Sequence, residues 1–274
     1  MNGRVDLSIR QFTEAWRIMC TGGAAQSRRG VEGGHTVTAA DGIQYIFSGL
    51  PIPFFNVALS SERAISSDRL KFHAEHACAW ASSTGVPWLF IVTHETLKPG
   101  TDATAILDGC GLAPLMPLTG MLAEQVAPVT RIPDGLELTV PQDDAACAAI
   151  LDVNGLAYGM ELETGKELMG KRSFWADHFP VVGLTGGKPA CSAAVMMVDG
   201  HRYVALVATD PGQQRRGYAD AAMRRALELS AQVHGERPTV LHASEAGRPV
   251  YERMGYATIS THTIFMEKTS LSGH

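Results

Sequence analysis

No stretch of the 274 residues approaches the roughly 20 consecutive apolar positions that a bilayer-crossing helix needs. The N-terminus also lacks the basic, then apolar, then small-residue pattern of a secretory leader. Both absences read as a cytoplasmic protein with no membrane partner. Cationic excess is missing too: 23 Lys and Arg stand against 28 Asp and Glu, a formal net charge of -5. That balance argues against a nucleic-acid partner held through its phosphates. Cys20, Cys78, Cys110, Cys147 and Cys191 are odd in number, widely spaced and without a C-x-x-C, so buried free thiols are expected rather than a disulfide framework or a zinc knuckle. Absent as well is the G-x-G-x-x-G of a nicotinamide-binding unit. What the chain has is the composition of a folded protein, 45% hydrophobic and 19% charged, at a length suited to two ordinary domains or one large one.

The Pro-punctuated stretch Ala127 to Gly135 separates two segments with apolar periodicity and is read as the domain boundary, giving residues 1-130 and 131-274. Thr21 to Gly42, rich in Gly and small polar residues, reads as an extended loop. In the second segment, Leu136 to Val140 alternates like a strand, and Asp143 to Tyr158 carries a helical pattern. Strands are expected over Val181 to Leu184, Ala190 to Val198 and His201 to Ala208, the last two joined by Asp199-Gly200, a hairpin signal. From Gly217 the period becomes helical, with Ala222, Ala226, Leu229 and Val233 on one face, until Gly235 ends the run. Thr239 to Ala243 reads as a strand, Pro249 to Met254 as a short helix and His262 to Glu267 as a last strand. The order implies a mixed sheet with helices on its faces.

The richest junction is Val207-Ala208-Thr209-Asp210-Pro211-Gly212-Gln213-Gln214-Arg215-Arg216-Gly217-Tyr218-Ala219, where a strand passes into a helix. Such a junction aims unpaired amides and a helix dipole at one place, which can hold an anion. Gly217 admits a close approach to the backbone, Ala219 leaves room, and Arg215 and Arg216 add charge. The run resembles the signature of the GNAT N-acetyltransferases, [Gln/Arg]-x-x-Gly-x-[Gly/Ala], at Gln214, Gly217 and Ala219. The resemblance implies that the loop amides, including that of Tyr218, bind the pyrophosphate of acetyl-CoA as co-substrate. It also implies that Val207, Ala208 and Thr209 offer their backbone to the pantetheine arm, and that no metal takes part.

Leu241 to Tyr256 resembles a second GNAT element, a strand followed by a short helix with a Tyr, then Gly and an aromatic residue. By that resemblance Tyr251 is the general acid that protonates the departing thiolate, a role that suits a phenol of pKa about 10. The attacking amine must also lose a proton. Glu161, Glu163, His178 and His242 are candidates for that base, and none is assigned. Direct attack in a ternary complex is expected, without a cysteine intermediate. The acceptor implied is a primary amine of a small molecule or amino acid, and the chain is expected to be a monomer or homodimer. A catalytically silent acyl-CoA sensor, or a transferase of longer acyl groups, is the alternative.

The halves resemble each other. Pro87 to Glu95 followed by Ile106 to Leu112 runs parallel to Pro238 to Glu245 followed by Val250 to Tyr256, and Phe54 to Leu59 (strand) and Ser67 to Thr84 (helix) precede them. Leu107 stands where Tyr251 would be, and Ser60-Ser61-Glu62-Arg63 has no glycine where the phosphate loop should lie. The expected fold is therefore mixed α/β, with two GNAT-like domains in tandem, each a mostly antiparallel sheet flanked by helices. The first is a degenerate copy or an accessory α/β domain. His73 and His76 have a metal-binding spacing but no third ligand, and a solvent-facing helix accounts for them.

Overall fold

The computed structural model describes residues 3-22, 36-129 and 133-271. In chain order its elements are α1 (Gly3–Cys20), β1 (Thr36–Ala40), β2 (Ile43–Phe47), β3 (Asn56–Ser60), α2 (Ser67–Ser82), β4 (Leu89–Thr93), α3 (Ala103–Gly109) and β5 (Leu112–Ala123). Then follow β6 (Glu137–Thr139), α4 (Asp144–Tyr158), α5 (Lys166–Met169), β7 (His178–Thr185), β8 (Lys188–Val198), β9 (His201–Thr209), α6 (Tyr218–His234), β10 (Thr239–Ala243), α7 (Arg248–Arg253), β11 (Ala257–Glu267) and α8 (Lys268–Leu271). The series helix, three antiparallel strands, helix, parallel strand, helix, strand occurs twice, once from α1 to β5 and once from α4 to β11. The tandem, mixed and mostly antiparallel architecture expected from the sequence is thus present.

A division at residue 130 is not how the chain partitions. One compact unit holds Met1–Gly120, Ala243–Ala246 and Thr258–His274, and the other holds Met121–His242 and Gly247–Ala257. The reason is strand pairing: β11, the last strand of the second series, runs antiparallel to β4 from His262↔Thr93 to Met266↔Leu89. A reading of punctuation along the chain cannot see a strand that returns to the first unit. Thr130 to Ile132, inside the expected linker, and residues 23-35 of the expected Thr21 to Gly42 loop lie outside the described residues. The end of that loop is a correction: Thr36–Ala40 is a strand paired with β2.

In the first unit β3 and β4 run parallel, β2 and β3 antiparallel. Their core gathers Ile43, Phe47, Leu70, Trp88, Phe90, Leu107 and Phe265. α1 buries Phe12, Ala15 and Trp16, and the Trp16 indole donates to the Phe54 carbonyl at 2.9 Å. His73 corrects the solvent-facing expectation: it is fully buried, with Nδ1 3.0 Å from the Ser60 hydroxyl, while His76 is exposed.

In the second unit the meander β7-β8-β9 turns at Asp199 and Gly200, both in the left-handed region (φ 45° and 73°) that a two-residue hairpin requires. β8 is buried without a break from Ala190 to Met196, as a strand covered on both faces must be, and α4 and α6 pack against it. α4 starts where Asp143 accepts from the Ala146 amide at 2.8 Å and stops at left-handed Gly159. The buried stripe of α6 is Tyr218, Ala222, Met223, Ala226, Leu227 and Ser230. Val233, placed on that face from the sequence, is exposed, because the buried stripe is rotated toward Met223 and Leu227.

Candidate active site

β9 carries the first component. Its parallel ladder with β10 covers only Arg202 to Val204 against Thr239 to Leu241. Past that point, among the described residues, Ala205, Ala208 and Thr209 pair only on the β8 side. The parting begins at a bulge: Ser192 faces Ala208 and Ala194 faces Ala205, so Leu206 and Val207 together oppose Ala193. Leu206 adopts φ 54°, a conformation unfavourable for a residue with a branched side chain. Its carbonyl accepts from the Ser192 hydroxyl at 2.8 Å and from Asn154 Nδ2 at 3.4 Å. The Val207 carbonyl accepts from the Tyr158 hydroxyl at 3.1 Å.

At the far end of β9 the chain makes a short 3-10 turn, Pro211–Gln213, and enters α6 through Gln214, Arg215, Arg216 and Gly217. Arg215 (φ 61°) and Gly217 (φ 84°) are both left-handed. A Cβ on Gly217 would meet only Pro133 Cγ at 3.7 Å, so the glycine is required by backbone conformation and its surroundings are open. Gly217 is the N-cap and offers no side chain to cap the helix, which leaves the first-turn amides to another acceptor. Gln214, Arg215, Arg216 and Gly217 are exposed, Ala219 is half-buried and Tyr218 is buried. The structure thus brings Val207, Ala208, Thr209 and the 214-219 loop onto one continuous strand-to-helix segment.

Tyr251 sits half-buried on α7, in the same unit. Burial raises its phenol above the ordinary value, with smaller contributions from Tyr158 and Tyr256; Tyr203, also raised by burial, is near enough to Tyr251 to be raised by it in turn. Among the described residues no protein group accepts from the Tyr251 hydroxyl. Tyr256, 6.0 Å from Tyr251 between ring centroids, is committed to Thr239 Oγ1 at 2.6 Å. Tyr251 thus belongs to a phenol cluster that reaches the bulge through Tyr158.

The four base candidates separate. Glu161 and Glu163 are exposed, and Glu163 is ion-paired with Lys166 at 2.6 Å. His178 packs against Phe174 and Trp175, and burial lowers its pKa. His242 lies on β10, one residue past its ladder with β9, with Nδ1 3.1 Å from the Tyr203 hydroxyl. Cys147 and Cys191 are buried and their thiols pushed up by burial, Cys191 to about 12, which does not suit a nucleophile. Among the described residues no cluster of three His, Cys, Asp or Glu could hold a metal ion, and no helix is long and apolar enough to cross a membrane.

Sequence reading missed Asn154, Ser192, Tyr158 and Tyr203. Asn154, a polar residue on the core side of an apolar helix, was the one available signal; Tyr158 ends that helix with an exposed ring.

Residues 176–267 match the family model of the acetyltransferase (GNAT) domain. These residues form a GNAT domain. The GNAT fold extends beyond them: a GCN5-related N-acetyltransferase from Kribbella flavida superposes with a TM-score of 0.68 over 98% of this chain and 96% of that one, at 17% identity. Another, from Sphaerobacter thermophilus, gives 0.61 over 88% and 82% at 11% identity. A tandem GNAT protein from the clavulanic acid biosynthesis pathway gives 0.50 over 95% and 94% at 12% identity. No curated protein matches the chain. The matches show that the first series, too, has a GNAT-like fold, and that the chain carries an acyltransferase domain.

The two GNAT-like copies differ at the corresponding strand and helix start. Between β3 and β4, the Ile65 amide donates to Thr96 O at 2.9 Å and the Lys98 amide to Ile65 O at 2.8 Å, closing the strands beyond their ladder. The start of α2 is capped by Ser66, which accepts from the Arg69 amide at 3.3 Å. Glu62, held by Arg69 and with its carboxyl drawn below the usual range by that bond, precedes it. Leu107 is fully buried, without a polar counterpart of Tyr251.

Proposed function

We propose that the second unit transfers an acetyl group from acetyl-CoA to the primary amine of a small molecule or amino acid. The observation that carries this reading is the parting of β9 from β10 after Val204, on the same strand that leads to the uncapped helix start at Gly217. An extended arm containing amides can add to the open edge at Val207, Ala208 and Thr209. Its diphosphate can then reach the amides of Gly217, Tyr218 and Ala219, with the Arg215 and Arg216 guanidiniums beside them.

The amine attacks the thioester carbonyl in a ternary complex; a C–N bond forms, the carbonyl becomes an oxyanion and the C–S bond then breaks. The Val207 amide steadies the oxyanion. Tyr251 gives its proton to the leaving sulfur, a role for which its proton-retaining phenol and uncommitted hydroxyl are suited. The ammonium proton of the acceptor leaves to water or to His242.

Calorimetry with acetyl-CoA, followed by thiol release against a panel of primary amines, tests the reading. Micromolar binding with amine-dependent thiol release supports it. Binding without thiol release for any amine would instead indicate a silent acyl-CoA sensor, and stronger turnover with longer acyl donors would reassign the donor.

A further inference from the structure

The bulge that parts β9 from β10 is held by side chains with no other evident task. Asn154 and Ser192 are polar, on an apolar helix and an apolar strand, and only 3% and 0% exposed. Asn154 Nδ2 spans the Ile150 carbonyl (2.7 Å), the Ser192 hydroxyl (3.0 Å) and the Leu206 carbonyl (3.4 Å), while Ser192 donates to that last carbonyl at 2.8 Å. Burying two polar side chains is unfavourable unless they bond, and here they converge on one peptide oxygen. Leu206 lies at φ 54°, and a branched residue stays there only when its surroundings impose it.

That carbonyl is one end of a rigid group. The peptide is planar and trans, with no cis bond among the described residues, so the Val207 N–H points opposite to the Leu206 C=O. Turning the carbonyl toward Asn154 and Ser192 turns the Val207 amide away from α4. We infer that Asn154 and Ser192 are positioning residues that aim the Val207 amide at the oxygen of the reacting carbonyl. This inference rests on the acetyl-transfer reading above and assigns the two residues an effect on turnover that packing alone would not give. Neither touches the reacting atoms.

The test is steady-state kinetics with acetyl-CoA and an accepted amine, beside calorimetric acetyl-CoA affinity, for Ser192→Ala, Asn154→Leu and Ser192→Thr, which keeps the hydroxyl. Released from its partners, the peptide can rotate, and misplacement of one oxyanion donor lowers kcat by about ten- to a hundredfold. The expected result is that loss for S192A and N154L, with acetyl-CoA affinity within about twofold of wild type and turnover largely restored in S192T. Equal kcat in folded S192A overturns the inference while leaving the acetyl-transfer reading intact. So does a loss of kcat that tracks a loss of affinity and of melting temperature across the three variants, which marks a purely structural cluster. A wild-type protein that releases no thiol with any amine removes both.

Discussion

Gly217 offers a direct quantitative test of the proposed phosphate cradle, because the space around it separates conformational from electrostatic effects. Its φ of 84° penalises any side chain, whereas an added Cβ meets only Pro133 Cγ at 3.7 Å. Gly217→Ala therefore measures strain alone, about 1–2 kcal/mol of folding stability. Gly217→Glu carries the same strain but adds a carboxylate at a helix N-terminus, which returns about 0.3–1 kcal/mol. The Glu variant should thus be no less stable than the Ala variant. Acetyl-CoA binding should separate them. A carboxylate about 6 Å from a diphosphate charge, at an effective dielectric constant of about 40, costs about 1.4 kcal/mol, so two charges cost about 3 kcal/mol. That is roughly a hundredfold in Kd, before the carboxylate is allowed to compete for the same amides. Calorimetry of both variants, with urea midpoints as the control, decides the matter, and the gap should narrow at high salt as screening shortens the charge interaction. Acetyl-CoA bound equally well by folded G217E and G217A would refute the placement of the diphosphate.

Tyr251→Phe should lower turnover at least tenfold while leaving acetyl-CoA affinity within about twofold, and an unchanged rate across the pH range would return Tyr251 to the core. Because burial raises its phenol, turnover in the wild type should show no alkaline fall below the ordinary phenol value of about 10. Calorimetric stoichiometry should be one acetyl-CoA per chain, since Ile65 closes the gap between β3 and β4; two equal sites would contradict that closure. His262 is 1% exposed and bonded to Ser260 and Thr93, and burial lowers its pKa from 6.5 to about 3. The unfolded chain therefore binds the proton first as pH falls below 6.5, and stability declines by up to about 1.4 kcal/mol per pH unit until about 3. Urea midpoints of His262→Asn between these limits should be flatter than those of wild type, from a lower starting value, and parallel slopes would show that other groups dominate.

The parts of this molecule legible in its sequence are those written locally. Asp143 and Gly159 bracket α4, Asp199-Gly200 turns a hairpin, and Gly217 starts α6 as the spacing required. What was not legible depends on contacts distant in sequence. β11 pairs with β4 across 169 positions at His262 and Thr93, and no punctuation near residue 130 announces that. The Asn154, Ser192 and Leu206 cluster joins residues up to 52 apart, and each looks ordinary alone. The burial of His73 depends on Ser60 across 13 positions, where helical spacing suggested only an exposed pair. Helical periodicity located α6 but placed its apolar stripe off by part of a turn, because Ala and Leu occur on both sides of the boundary.

The two copies share an element order, so each serves as a control for the fold of the other. β3 pairs with β2 without a register shift, and β9 pairs with β8 through a bulge. A regular strand keeps its carbonyls in the sheet; a bulged one can turn them to side chains and free an amide. The helix after β3 has one first-turn amide, that of Arg69, occupied by the Ser66 hydroxyl, and the helix after β9 has no side-chain cap behind Gly217. A capped helix has little left to give an anion, whatever its dipole. Beyond the ladder the first copy closes on Ile65, whereas the second parts beside a phenol cluster. Each difference separately has a structural explanation, but all of them favour an extended, diphosphate-bearing ligand on the second copy and oppose it on the first. Restoring one feature to the first copy, such as a glycine for Ser66, should therefore not create a second binding site, since the closed strands at Ile65 and the Glu62 carboxylate would still exclude the ligand.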